Sequence, residues 1–220
     1  FQMSGAKGPA YTSIVGGGAN GCILHYIENK DMLKNGDLVL IDAGCEFEDY
    51  ASDITRTFPV NGKFSDEQAA IYDIVLKALK EAIDVTQAGT PFDKTNETTI
   101  RVITEGLVEL GLLKGDINDL IKAEAHREFY MHGAGHWLGL DVHDVGDYKI
   151  DGEWRIYEPG MVVTIEPGIY ISPKNKKVDT KWRGIGVRIE DDIVITKTGN
   201  INLTSKVPKE RNEIEKMMAK

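Results

Sequence analysis

The sequence predicts an α+β fold in one domain, and three observations predict it. Glycine-rich, strand-like text stands at both ends of the 220-residue chain, helical periodicity fills its middle, and no Pro-, Ser- or Gly-rich linker divides it. Hydrophobic residues make up 41% and charged residues 28%, a globular composition that excludes collagen, a disordered tail and a small disulfide scaffold. A chain of this size buries about 70% of the surface its unfolded form exposes. One core is therefore expected, in a single domain spanning residues 1–220.

The elements follow in order. Ser13 to Val15 and Cys22 to Ile27 read as two short strands around a turn containing Gly16, Gly17, Gly18 and Gly21. Leu38 to Gly44 and Tyr50 to Val60 are the next strands, joined by a polar segment. At Ser65 the period changes: Ser65 and Gln68 form a capping box, and Ile71, Ile74, Val75, Ala78, Ala82 and Val85 recur at helical spacing towards a stop by Gly89. A second helix is expected from about Phe92 to Leu110 with Gly111 past its end, and a third from Asp116 to about Ala125. Strand-like text resumes at Met131 to Val142, Gly160 to Ile171 and Ile185 to Thr196, and Pro208 to Met218 reads as a terminal helix.

Thirty-five acids against 26 Lys and Arg leave a net charge of −9, which argues against a nucleic-acid partner. Cys22 and Cys45 are too few for a stapled secreted fold, and no apolar run approaches a membrane span. Phe1 to Pro9 has neither the basic nor the apolar region of a signal peptide. A cytoplasmic protein without membrane contact is expected.

One internal echo organises the chain. The run from Gly36 through Asp42 to Gly44 aligns without a gap on the run from Gly160 through Glu166 to Gly168, and each strand ends in a carboxylate. His25 stands to the first run as His143 stands to the second, and Asp53 follows Asp42 as Glu190 follows Glu166. Such a duplication implies two halves related by a pseudo-two-fold axis, with the active residues meeting there.

Those four acids carry the chemistry. Asp42, Asp53, Glu166 and Glu190 sit in or at the end of apolar strand text, where desolvating a charge is costly. A hairpin centred between Phe47 and Glu48 would place Asp42 directly opposite Asp53. Two carboxylates roughly 4.5–5.5 Å apart repel, so a cation must stand between them. No Lys or Arg has a claim on that position, whereas a divalent metal has. Tyr130 to Asp144 then holds three of the five histidines, His132, His136 and His143, among glycines. Four carboxylates with one or two imidazoles suit two divalent ions sharing a water, the equipment of a hydrolase.

At these residues the chain resembles the pita-bread metallopeptidases of peptidase family M24, and within them the aminopeptidase P group. The resemblance is carried by Ile14 to Tyr26, Leu40 to Gly44, Tyr50 to Pro59, His132 to Gly146, Glu158 to Met161, Thr164 to Gly168 and Gly184 to Asp192. It implies a pita-bread fold, a curved antiparallel sheet flanked by helices. It also implies that Asp42 chelates one metal, that Asp53 and Glu190 bridge both, and that His136 and Glu166 complete the other. Glu166 would accept the proton of the bridging water, leaving the metal-bridging hydroxide that attacks the peptide bond. His25, His132 and His143 would contact substrate, steadying the tetrahedral intermediate and helping the imino nitrogen to leave. Tyr170 and Arg188 would lie beside the proline pocket, and Tyr11 would support the first aspartate.

The implied reaction is removal of an N-terminal residue that precedes proline, with peptides bearing proline in the second position as partners. Manganese is the expected ion, and cobalt, iron or zinc would fit the same donors. An upstream domain and a first helix before Tyr11 are expected to be missing from this chain, and the full-length protein is expected to be a homo-oligomer. The nearest alternative is a prolidase acting only on Xaa-Pro dipeptides, which shares all five ligands. Methionine aminopeptidase lacks the Arg188-Ile-Glu-Asp-Asp pattern, and creatinase would need no metal ligands. A metal-free peptide-binding module of this fold should have replaced some of Asp42, Asp53, His136, Glu166 and Glu190, and here all are present.

Overall fold

The computed structural model describes residues 1–219. Chain order is β1 (Gly8–Pro9), β2 (Ile14–Gly17), β3 (Leu38–Asp42), β4 (Cys45–Phe47), β5 (Tyr50–Ala51) and β6 (Thr55–Pro59), then α1 (Asp66–Val85), α2 (Phe92–Glu109) and α3 (Ile117–Lys122). After the helices come β7 (Lys149–Ile150), β8 (Glu153–Trp154), β9 (Val162–Ile165), β10 (Gly168–Tyr170), β11 (Gly186–Arg188), β12 (Asp191–Thr196), β13 (Gly199–Asn202) and α4 (Arg211–Met218). This is the mixed helix-and-strand order expected. Among the described residues all strand pairs are antiparallel, and the strands divide among five small sheets.

The helices form where caps and period agree. Ser65 accepts from the Gln68 backbone while the Gln68 side chain accepts from the Ser65 backbone, so α1 starts on a complete capping box. Its Ile71, Tyr72, Val75, Ala78, Leu79 and Ala82 face one core, together with Val102, Ile103 and Leu107 of α2 and Val163, Ile165 and Ile169 of the second half. Gly106 lets the two helices meet, because a Cβ there would stand 2.6 Å from Ile74. Asp116 caps α3, and Gly111 takes the left-handed turn after α2.

Several strand expectations need correction. Cys22 to Ile27 forms no strand: Gly18–Cys22 coils into a 3-10 turn that packs backbone to backbone on β11, where a Cβ on Gly186 would stand 2.3 Å from the Gly21 carbonyl oxygen. Tyr50 to Val60 is two strands, broken at Ser52–Ile54. Met131 to Val142 contributes only a bridge, Trp137 to Val163, although its backbone exchanges hydrogen bonds with β9 from Ala134 to Leu138. The terminal helix starts at Arg211, after Pro208.

The hairpin register is also displaced. Asp42 pairs with Thr55, not with Asp53, because the turn lies at Glu48 and Asp49, both in the left-handed region (φ 49° and 69°) and closed by the Phe47–Tyr50 pair. A slip of two residues leaves every side chain on its expected face, whereas a slip of one would have reversed them. Asp53 therefore still shares a face with Asp42.

Candidate metal centre and active site

The site lies where β3 and β6 meet the ends of β9, β11 and β12. A cavity of about 430 Å³ is lined by His25, Asp42, Asp53, His132, His136, His143, Glu166, Arg188 and Glu190. Tyr170 stands behind it, 2% exposed. Tyr148 and Leu24 also line the wall, and neither was singled out from the sequence.

Each acid is delivered by a strand end. Asp42 closes β3; Asp53 stands in the break before β6; Glu166 follows β9; Glu190 precedes β12. The break at Asp53 requires Gly44 opposite it, since a Cβ there would lie 1.6 Å from the Ser52 carbonyl oxygen. Gly135 likewise lets the His136 segment approach β9, where a Cβ would meet the Thr164 carbonyl oxygen at 1.9 Å.

Asp53, His136 and Glu190 each offer a ligand atom, and the three atoms lie within 4.8 Å of one another. Tyr11 donates its hydroxyl towards Asp42 Oδ1 and Asp53 Oδ1, both at 2.5 Å, and so ties the two aspartates together. His136 Nδ1 lies 2.9 Å from the Trp137 carbonyl oxygen. A carbonyl only accepts, so in the neutral ring Nδ1 carries the hydrogen and Nε2 turns its lone pair inward. That Nε2 is 3.5 Å from Asp53 Oδ2 and 3.7 Å from Glu166 Oε1.

A hydrogen-bonded chain runs along the opposite wall. Arg188 donates to Asp42 Oδ2 (2.6 Å), to Thr55 Oγ1 (3.2 Å) and to Tyr170 Oη (3.1 Å). Tyr170 lies 2.8 Å from His132 Nε2, and His132 Nδ1 is 2.8 Å from the Gly133 carbonyl. The same carbonyl argument makes His132 Nδ1 the donor and Nε2 the acceptor from Tyr170. Burial holds the His132 pKa down to about 4, so the ring is neutral at pH 7. His25 and His143 sit exposed at the rim, and the His143 ring packs edge-on to His136 at 4.3 Å.

Electrostatically the centre has an excess of negative charge. Burial first, and then the neighbouring aspartates, push Glu166 up to about 7; burial with Asp53, Glu166 and Asp42 pushes Glu190 well above the carboxylate range. Asp42 is raised by burial against the pull of Arg188. For Asp53 burial opposes ionisation, but the protonated form of His136, which the neighbouring acids favour, and the Tyr11 hydroxyl donate to it and lower its pKa. Arg188 is the one guanidinium lining the cavity against four carboxylates, a donor set with room for divalent cations.

The chain has known relatives. It is 57% identical over 218 residues to the Xaa-Pro aminopeptidase of Escherichia coli, covering 99% of this chain and 49% of that protein. It is 58% identical to the Xaa-Pro aminopeptidase of Haemophilus influenzae, covering 50% of it. The chain thus spans about half the length of the curated relatives it matches. Among solved structures, Pseudomonas aeruginosa aminopeptidase PepP superposes with a TM-score of 0.98 at 61% identity, covering 99% of this chain and 49% of that one. Residues 1–197 match the model of metallopeptidase family M24, and the chain belongs to that family.

Proposed function

We propose that this chain carries the catalytic site of a dinuclear-metal aminopeptidase that hydrolyses the N-terminal Xaa-Pro peptide bond. The observation that carries the reading is the convergence of Asp53, His136 and Glu190 within 4.8 Å, beside Asp42 and Glu166 in a cavity rimmed by histidines. Proline specificity rests on likeness to relatives named as Xaa-Pro aminopeptidases.

Asp42, Asp53, Glu190, His136 and Glu166 would hold two divalent ions, with Asp53 and Glu190 shared. Four carboxylates around one guanidinium, with an imidazole lone pair turned inward by the Trp137 carbonyl, fit that load. Oxygen and imidazole donors suit manganese, with cobalt, iron and zinc as further occupants. When bound, such ions make water acidic and polarise a carbonyl.

The chain's own residues supply the rest. Glu166, partly buried and poised near neutrality, accepts the proton of the attacking water and returns it to the leaving nitrogen. That nitrogen needs a proton because it leaves as a neutral amine, here the ring nitrogen of proline, and not as an anion. His25 and His143, exposed on the rim, hold the peptide backbone. His132 is fixed by Gly133 and Tyr170, and with Arg188 behind it forms the wall beside the proline ring.

The fold is read as pita-bread, a curved antiparallel surface of two halves. In the first, β3 lies between β2 and β6; in the second, β9 lies between the Ala134–Leu138 segment and β12. Gly36 and Gly160, which open the two repeats, share left-handed backbones (φ 90° and 99°). Residues 1–220 are taken as the catalytic domain of a longer, cytoplasmic, homo-oligomeric protein acting on peptides.

The test is a pair of substrates offered to the manganese-loaded protein, a Xaa-Pro-Xaa tripeptide and a Xaa-Pro dipeptide. Cleavage of the tripeptide is expected. Activity confined to the dipeptide would make the protein a prolidase, and wild-type protein that retains no stoichiometric metal would make it a binding module.

A further inference from the structure

Behind the cavity, Arg56 spends its whole hydrogen-bonding capacity on backbone and one carboxylate. Its Nη1 donates to the carbonyls of Thr55 (2.9 Å) and Glu190 (2.6 Å). Its Nη2 donates to Asp191 Oδ1 (2.7 Å) and the Val207 carbonyl (3.0 Å), and Nε donates to the Pro208 carbonyl (3.1 Å). A guanidinium has five N–H groups, and here all five are engaged. The side chain is 9% exposed, and Asp191 is fully buried.

Glu190 is thereby held at its backbone N–H, its carbonyl and one carboxylate oxygen by two adjacent residues of β6. Its backbone N–H donates to the Thr55 carbonyl (3.1 Å), its carbonyl accepts from Arg56, and its Oε2 accepts from the Thr55 hydroxyl (2.6 Å). Asp191 extends the brace away from the site: Oδ1 also accepts from Thr204, and Oδ2 accepts from Asn202 and pairs with Lys209 Nζ at 2.6 Å. Segment 207–209 is thus strapped to the back of the Glu190 strand end, although none of its residues lines the cavity.

We propose that Arg56 is a positioning residue for the metal centre: it locks Glu190 in register with Asp53, and it makes divalent-ion affinity depend on the strap at residues 207–209. The inference rests on the proposed role of Glu190 as a ligand. Arg56 touches neither substrate nor metal, and it acts only through the placement of Glu190. A lysine at this position keeps the charge opposite Asp191 but cannot reach the carbonyls of Thr55, Glu190, Val207 and Pro208 together.

The experiment compares wild type, Arg56→Lys and Lys209→Met in the full chain, measuring manganese binding by calorimetry and the rise in melting temperature on adding manganese. For Arg56→Lys an affinity loss of about 10–100-fold is expected, the range seen when a group supporting a metal ligand is removed. The manganese-induced rise in melting temperature should shrink with it. For Lys209→Met a smaller loss is expected, with kcat reduced and KM for the peptide unchanged. A merely structural Arg56 would lower the melting temperature with and without manganese alike and leave affinity within twofold of wild type; that result overturns the proposal. Should Arg56→Lys fail to fold, Lys209→Met decides alone, and unchanged manganese affinity there overturns it equally. Wild-type protein that takes up no manganese would instead refute the proposed function.

Discussion

Thr55 donates its hydroxyl to Glu190 Oε2 across 2.6 Å, joining residues 135 positions apart in the chain. Both are buried, Thr55 at 0% and Glu190 at 1% exposure, and Arg188 Nε donates to the same hydroxyl. Thr55→Val keeps the shape and removes the oxygen, leaving a buried acceptor and a buried donor without their partner. A stability loss of about 1–3 kcal/mol is expected in denaturant unfolding, with Thr55→Ser near wild type. Equal stability of the valine variant would show that this bond contributes nothing.

Glycine substitutions should separate by position. Gly44→Ala puts a Cβ 1.6 Å from the Ser52 carbonyl oxygen, a clash with backbone that no rotamer relieves. Gly133→Ala, in the cavity wall, meets nothing closer than 4.0 Å. The first should cost at least the roughly 1–3 kcal/mol typical of overpacking and disturb Asp53, while the second should melt within a few degrees of wild type. Melting temperatures in the reverse order would contradict the register assigned to the Asp53 break.

His132 gives a pH signature. Its folded pKa of about 4 lies below the ordinary value of 6.5, so between those pH values the unfolded chain binds the extra proton. Stability is therefore lost as pH falls from 6.5 towards 4, and this increment should vanish in His132→Gln. Urea unfolding of both proteins at pH 7 and pH 5 checks it. The same pH-dependent loss in both would show that His132 is not the source.

Much of this centre is legible in the sequence because burying a carboxylate is costly, so an acid in apolar strand text advertises a compensating partner. Asp42, Asp53, Glu166 and Glu190 stand out that way, the histidines through their clustering among glycines, and Tyr11 only through the family resemblance. The exact pairing was not legible, because Glu48-Asp49 turns through left-handed backbone without the Asn-Gly signature that announces such turns. Parity rescued the face: Asp53 slipped by two residues and still points with Asp42. Arg56 and Thr55 gave no signal, since their partners, Glu190 and Asp191 among them, lie more than 130 residues away and are brought near only by the completed fold.

Removing divalent cations should invert the pH dependence of stability. In chelator-treated protein, the raised pKa values of Glu166, about 7, and Glu190 mean that the folded form binds more protons than the unfolded one above pH ~4.5. Unfolding free energy then falls as pH rises through 7. Added manganese offsets the same repulsion, so its stabilising effect should be larger at pH 8 than at pH 5.5. Thermal melts with chelator and with manganese at both pH values measure this, and an equal manganese effect at the two would contradict the charge excess described.

Glu190→Gln separates function from stability at a single residue. The amide oxygen can still accept from Thr55, and the side chain keeps its length, but the buried negative charge disappears. Because burial and three neighbouring carboxylates disfavour that charge, the metal-free variant should be at least as stable as metal-free wild type at pH 8. Its manganese affinity should fall by more than the roughly 10–100-fold that loss of an outer-shell partner costs, and peptide hydrolysis should fall with it. Lower metal-free stability together with intact hydrolysis would make Glu190 a structural residue and remove it from the ligand set. The opposite pairing, a sturdier protein that neither binds manganese nor turns over, is what a carboxylate retained for its metal predicts.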